Sequence, residues 1–217
     1  MAIDIPFFKK RKDKPVTEGR DETSARIEEE LQVLRRKVKL YRTVIEKYGE
    51  QIEEGEKKSV PELRVLVDPE NEEVKKISAR IIGELGAGGA AYSFGKNFPD
   101  AAKKAFEFVS QGLADEQLPV DFWLSPRDMV AIGAGDEMDK ALFLCSLLIA
   151  LGNESAKVIV ELSRKHVFVG YEFGKKYFLC DASHRDMFEG SREELVSRHL
   201  TTDELVYEFN NKEYDEL

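Results

Sequence analysis

The segment that most constrains the fold is residues 141–151, which are nearly all apolar. It is much shorter than the roughly 20 apolar residues that span a bilayer, so it predicts a buried central helix. Gly152 and Asn153 follow it, as is typical of a helix end. Segments with strand character come next, at 157–162, 166–173 and 177–181. Gly174 predicts a hairpin turn between the last two, and a helix followed by antiparallel strands favours an α+β fold.

The remainder of residues 60–217 is expected to complete the same domain. Further elements are predicted as helices at 70–85, 100–111 and 191–198 and as strands at 63–67 and 205–209. The first of these strands is inferred from the alternation of Leu63, Val65 and Val67. The whole pattern predicts helices packed on an antiparallel sheet.

Upstream of that domain, an apolar stripe repeats with the heptad spacing of a coiled coil. Its residues are Ile27, Leu31, Leu34, Val38, Tyr41, Ile45, Tyr48 and Ile52. The stripe predicts a coiled-coil helix over 25–57 that self-associates into a homo-oligomer, and β-branched a positions favour a parallel dimer. The alternative is one long helix that folds back on its own domain. Gly55 and Pro61 mark the end of the helix.

Charge and composition limit the classes of partner. Residues 1–24 are expected to form a disordered basic tail, and the alternative is weak contact of its basic cluster with an acidic membrane surface. The chain carries 33 Lys and Arg against 42 Asp and Glu, a net charge of -9, which disfavours a nucleic-acid partner. Apolar runs are too short for a transmembrane segment, and 2 cysteines do not make a disulfide framework. A cytoplasmic protein is therefore expected.

A glycine-rich stretch at 86–91 fits a relaxed dinucleotide-binding fingerprint. That motif must follow a strand, whereas this stretch follows a helical pattern. A loop between helices is the better interpretation, and no cofactor is predicted.

A second group of residues points to chemistry. If Phe173 pairs with Lys176 across a two-residue turn, then His166 and Asp181 share one face of the sheet as diagonal neighbours. A shift of register by one residue would separate them. Asp181 could then orient the imidazole of His166, and the start of the buried helix near Asp136 could supply a third group.

The residues around this group resemble a known family. The matching runs are Ser125-Pro126-Arg127-Asp128, Gly133-Ala134-Gly135-Asp136, Asp139-Lys140-Ala141, Ser146-Leu147-Leu148, His166-Val167-Phe168-Val169 and the strand end at Asp181. They resemble the transglutaminase-like domains, which share the papain-like cysteine fold, and are most similar to archaeal and bacterial versions. The resemblance implies a helix that bears the nucleophile, packed on an antiparallel sheet. It also implies acyl transfer from an amide, or amide hydrolysis, through Cys, His and Asp.

The sequence departs from that family at the nucleophile. The family's cysteine falls on position 137, which is Glu137 here. A carboxylate is a far poorer nucleophile toward an amide than a thiolate, so the ordinary mechanism is lost. Cys145 lies within the apolar run and is expected to be an inert buried thiol. Cys180 neighbours Asp181 on a strand, so the two side chains point to opposite faces.

Three roles remain open for Glu137. It can be structural, since a carboxylate is favoured at a helix N-terminus and can pair with protonated His166. It can join His166 and Asp181, with Asp136 or Asp139, in holding a divalent metal. It can act as a general base. We favour the structural role and predict no metal, with His184 and His199 as surface residues.

The predicted function is a catalytically inactive transglutaminase-like domain that binds a protein or peptide as a scaffold. The resemblance implies that Phe122, Trp123 and Asp136 lie at the binding groove, because aromatic residues here help to wall the family's substrate groove. The simpler interpretation of Phe122 and Trp123, which we favour, is packing in the core. One alternative is an atypical amide hydrolase that uses Glu137 and His166 with Asp181. Another makes the coiled coil the functional part and the domain a spacer.

Overall fold

A computed structural model describes residues 18–53, 60–86, 91–117, 123–162, 164–200 and 205–217. Its helices are α1 (Glu18–Glu53), α2 (Val60–Leu63), α3 (Glu72–Leu85), α4 (Phe94–Gly112), α5 (Pro126–Ile132), α6 (Glu137–Ala150) and α7 (Arg192–His199). Its strands are β1 (Ala114–Asp115), β2 (Ala134–Gly135), β3 (Lys157–Glu161), β4 (His166–Phe173), β5 (Lys176–Asp181), β6 (Asp186–Gly190), β7 (Val206–Phe209) and β8 (Tyr214–Glu216).

Six of the strands form one antiparallel sheet in the order β6-β5-β4-β3-β7-β8. Strands β1 and β2 form a separate parallel pair. The α+β class predicted from the sequence is therefore confirmed. The two edge strands of the sheet, β6 and β8, the short pair of β1 and β2, and the short helix α5 are additions to the predicted elements.

Helix α6 lies at the centre of the domain, between the sheet and helices α3 and α4. Its residues from Asp139 to Leu148 are all buried, which confirms the predicted buried helix. The helix begins with a capping box, in which the Asp136 carboxylate accepts the N–H of Asp139 and the Asp139 carboxylate accepts the N–H of Asp136. This reciprocal cap fixes where the first turn of the helix starts.

The predicted strand at 63–67 is wrong. Helix α2 and a 3-10 turn (Arg64–Leu66) occupy this stretch. Leu63 and Val67 are buried and Val65 is 79% exposed. The two buried residues are spaced four apart, which is also the spacing of one helical turn, so a run this short did not distinguish the two periods.

Helix α1 begins at Glu18, upstream of the predicted start at residue 25, and its second half packs on the domain. Leu40 and Val44 are buried in the main core. Six residues of the heptad stripe are exposed, namely Ile27, Leu31, Leu34, Val38, Tyr41 and Ile45. Residues 1–17, which carry the predicted basic cluster, lie outside the described residues.

The last two residues of the stripe, Tyr48 and Ile52, pack against the core of the domain. They therefore do not belong to the exposed surface with the other six. For Tyr48 the reason is geometric, because a straight helix drifts by about 20° per heptad relative to a 3.5-residue repeat, and over three heptads this drift turns the stripe toward the face that carries Leu40 and Val44. Ile52 lies on the same side of the helix as the exposed Leu34, roughly five turns later, so it is covered because the domain packs against the second half of α1. Within the described ranges, no helix is both long and apolar enough to cross a membrane.

Candidate functional site

The hairpin of β4 and β5 brings His166 and Asp181 together. Phe173 pairs with Lys176 and Val169 with Cys180, so the register is the one on which the predicted site depends. Nε2 of His166 lies 2.8 Å from Oδ2 of Asp181. Asp181 is buried at the end of β5, and its Oδ1 accepts the backbone N–H groups of Ser183 and His184.

Glu137 faces His166 from the other side. As the first residue of α6, it places Oε1 2.5 Å from Nδ1 of His166. The same oxygen accepts the backbone N–H of Val167 at 2.8 Å. His166 therefore lies between two carboxylates, with both ring nitrogens engaged.

This arrangement holds a proton on His166. Hydrogen bonds with Asp181 and then Glu137 raise the pKa of His166 to about 10, against the opposing effect of burial. For Asp181, burial favours a higher pKa, but the hydrogen bonds from His166 and the His184 backbone outweigh it and lower the pKa. At neutral pH the centre is an imidazolium between two carboxylates.

Contacts at the start of α6 hold the segment that precedes this helix next to the site. Asp139 is fully buried, and its Oδ1 accepts the N–H of Leu124 at 2.8 Å, which ties the preceding segment to the helix. Burial and the nearby Asp136 charge raise the pKa of Asp139. Trp123 is half-buried against the core beside this contact. The third predicted groove residue, Phe122, lies outside the described residues.

Neither cysteine lies where it could replace the nucleophile. Cys145 and Cys180 are both buried, and burial raises the pKa of each thiol. Each stays a neutral, inaccessible thiol at neutral pH.

His184, which we expected on the surface, joins the site. Its side chain is 66% exposed, but Nδ1 lies 3.0 Å from Oδ2 of Asp181. The turn between β5 and β6 carries it back toward the strand end, with Arg185 at a φ of 66°. The pairing of Asp181 with Asp186 in β6 creates this turn, and the unpredicted β6 is the reason that sequence analysis missed His184. His199 stacks on Phe188, with ring centroids 3.9 Å apart.

A second polar cluster joins α1 to α5. The buried carboxylate of Asp128 accepts hydrogen bonds from Lys47, from the Tyr48 hydroxyl at 2.5 Å and from the Ser125 hydroxyl at 2.9 Å. Burial favours a higher pKa for Asp128, but these three donors outweigh it and lower the pKa. We call this group the Asp128 junction.

No family model matches the chain. No curated protein matches it either. Solved structures of LapG from Legionella pneumophila were found, one of which is 18% identical, covers 72% of this chain and 87% of that chain and has a TM-score of 0.45. The EGTA-treated form is 17% identical, with coverage of 67% and 84% and a TM-score of 0.42. The calcium-bound form is 17% identical, with coverage of 66% and 85% and a TM-score of 0.40. Similarity at this level transfers neither an activity nor a site.

Proposed function

We propose that this chain is a transglutaminase-like domain without its nucleophile, which acts as a protein- or peptide-binding module. The observation that carries the proposal is the position of Glu137. Its Oε1 lies 2.5 Å from Nδ1 of His166, at the helix position where the sequence resemblance puts a cysteine. The packing of α6 against an antiparallel sheet, and the pairing of His166 with Asp181, support the same assignment.

The state of His166 argues against turnover. A general base must have a free lone pair near neutral pH. Both ring nitrogens of His166 are engaged by carboxylates, and its pKa of about 10 leaves it protonated. Glu137 is itself tied to His166 and to the N–H of Val167. These contacts disfavour the alternative of an amide hydrolase that uses Glu137, His166 and Asp181.

The accessibility of the same residues supports binding. The side chains of Glu137 and His166 are 24% and 20% exposed, so a partner can contact the outer edge of this pair. Trp123 and Asp136 are half-buried near the start of α6. An extended peptide bound at the start of α6 would contact the aromatic ring of Trp123 and the charged side chains of Glu137 and His166.

The first experiment compares the wild type with Glu137→Cys, and uses Glu137→Ala as the matched control. All three proteins are tested for amide hydrolysis, for amine transfer and for reaction with a thiol-directed peptide probe. We expect the wild type and Glu137→Ala to be inert, and Glu137→Cys to be labelled at position 137. Cys145 and Cys180 are present in every protein and report background labelling.

The outcome separates the two candidate functions. Suppose that Glu137→Cys reacts with the probe and that adding His166→Ala to this variant slows the reaction. The groove and the His166–Asp181 pair are then those of the family. If the wild type turns over and His166→Ala stops it, the hydrolase is correct. If position 137 does not react at all, the assignment of the site to this family fails.

We further propose that the exposed stripe of α1 pairs with a second copy of the chain. Six apolar side chains at heptad spacing remain uncovered on α1, and a second copy offers the same spacing for knobs-into-holes packing. Sedimentation of the full chain at tens of micromolar should give a dimer or larger species, and Leu31→Glu should give a monomer. Gln32→Glu adds the same charge at the neighbouring exposed position and should leave the dimer intact. A monomeric wild type contradicts the proposal.

A further inference from the structure

Three donor atoms meet where β5 turns into β6. Oδ2 of Asp181 lies 2.8 Å from Nε2 of His166 and 3.0 Å from Nδ1 of His184. One ligand atom from each of these residues can be chosen so that all three lie within 4.8 Å of one another. We propose that His166, Asp181 and His184 form a binding site for a divalent transition metal such as Zn²⁺. This inference goes beyond the proposed function and does not depend on it.

The groups around the cluster orient its donor atoms. A histidine that binds a metal through one ring nitrogen usually donates its other N–H to a carboxylate, which fixes the tautomer. Glu137 is in that position for His166, because its Oε1 faces Nδ1 and leaves Nε2 toward Asp181. Asp181 is fixed in turn, since its Oδ1 accepts two backbone N–H groups and its Oδ2 points to the rings.

The two distances from Asp181 require only a small adjustment, and the two histidine nitrogens, which lie within 4.8 Å of each other, are brought to the metal by movement of His184. Bonds of about 2.0–2.2 Å from Zn²⁺ to nitrogen and oxygen place tetrahedral ligand atoms about 3.3 Å apart. The present separations of 2.8 and 3.0 Å from Asp181 would therefore widen by a few tenths of an ångström. His184 can make this movement because its side chain is 66% exposed. The same exposure leaves the fourth position open to water.

The donor set selects the class of metal. Two imidazoles and one carboxylate suit Zn²⁺, Co²⁺, Ni²⁺ and Cu²⁺. Ca²⁺ and Mg²⁺ prefer a set made only of oxygen atoms, which this cluster does not offer. When the metal binds, it replaces the proton that Nε2 of His166 now shares with Asp181, so each metal bound at this atom releases one proton.

The test uses the full chain without a polyhistidine tag, first treated with a chelator. Zn²⁺ binding is measured by calorimetry, and Co²⁺ binding by the visible absorption of a tetrahedral site. We expect one equivalent of metal, and His184→Ala should weaken binding at least about tenfold. His199→Ala is the matched control, because His199 stacks on Phe188 outside the cluster and should bind metal as the wild type does.

The remaining outcomes overturn the proposal. One such outcome is the absence of saturable binding at millimolar metal. The other is an equal affinity of His184→Ala and His199→Ala for the metal, which would show that other surface groups bind it. Thermal unfolding of the metal-free variants shows whether His184→Ala remains folded, and His184→Gln serves as a second variant with a smaller change of shape. The reaction of Glu137→Cys with a thiol probe measures chemistry rather than metal binding, so failure of either proposal can be recognised separately.

Discussion

Asp128 and Asp181 are carboxylates of nearly equal burial, 6% and 5% exposed, and each collects several hydrogen-bond donors. At the Asp128 junction, the side-chain donors are an ammonium, a phenol and a hydroxyl, from Lys47, Tyr48 and Ser125. An ammonium group offers hydrogen-bond donors and no lone pair for a metal. The junction is therefore a structural contact, which fixes α1 on the domain.

At Asp181, by contrast, the side-chain donors are two imidazoles, from His166 and His184. Imidazoles are common metal ligands, and the cluster is open to solvent at His184. Burial of a carboxylate therefore does not distinguish a site from a structural contact in this molecule. The chemical type of the hydrogen-bond donors and their exposure to solvent distinguish the two.

The largest expected effect comes from removing the two carboxylates in turn. Asp128→Ala should lower the free energy of unfolding by about 2–3 kcal/mol, because it removes the charged acceptor that Lys47, Tyr48 and Ser125 share. Asp181→Ala should cost less, about 1–2 kcal/mol, since His166 keeps Glu137 as a partner. Urea unfolding at neutral pH measures both.

Glu46→Ala is the control for these substitutions. Glu46 is exposed and pairs only with Arg42 within α1 among the described contacts, so its loss should change stability by less than about 0.5 kcal/mol. If Asp181→Ala costs as much as Asp128→Ala, the contrast between the junction and the site is wrong.

The pH dependence of stability should also separate the two clusters. The pKa of His166 is raised to about 10 in the folded state, so its contribution is complete below the unfolded value near 6.5. That contribution is lost as the pH rises through 10. We expect a loss of about 2 kcal/mol between these limits after allowance for solvent contact. Unfolding in urea at a series of pH values measures it.

The junction should respond in the opposite direction. The pKa of Asp128 is lowered in the folded state, so its contribution is present above the ordinary aspartate value and is lost as the pH falls through the folded value. His166→Gln should reduce the loss of unfolding free energy at alkaline pH. It should leave unchanged the part of the loss at acid pH that comes from Asp128. An unchanged alkaline slope in His166→Gln would show that His166 does not gain its proton affinity from folding.

The smallest expected effect is that of a single hydroxyl. Tyr48→Phe removes the hydrogen bond to Asp128 but keeps the ring packed on the core, and should cost about 1 kcal/mol. Tyr41→Phe is the matched control, because Tyr41 belongs to the exposed stripe of the same helix. Equal effects of the two substitutions would show that the hydroxyl of Tyr48 contributes nothing to the junction.

Local sequence signals were sufficient for much of the fold. The helix α6 was predicted from its nearly continuous apolar run, and the strands β4 and β5 were predicted with the two-residue turn that joins them. Gly174, with a φ of 67°, supplies the left-handed conformation that this turn needs. The contact between His166 and Asp181 follows from the register of β4 and β5 that this turn sets.

Contacts between distant parts of the chain could not be predicted in this way. Lys47 and Asp128 lie 81 positions apart, and neither residue carries a local signal for the other. The docking face of α1 contains few apolar residues, such as Leu40 and Val44, and the longer heptad stripe beside it is more prominent in the sequence. His184 was missed for the same reason, because its position depends on a strand, β6, that the sequence did not reveal.

The turn at Gly174 has a consequence at the opposite end of the hairpin. The length of the turn sets the register of β5 against β4. Because successive side chains of a strand alternate between faces, the register decides which residues of β5 share a face with His166. A turn that shifted the register by one residue would place Asp181 on the face opposite His166 and bring Cys180 to the face of His166. The site is thus specified in part at a place that holds none of its residues, and a change of loop length during evolution could dismantle it while every residue of the site was kept.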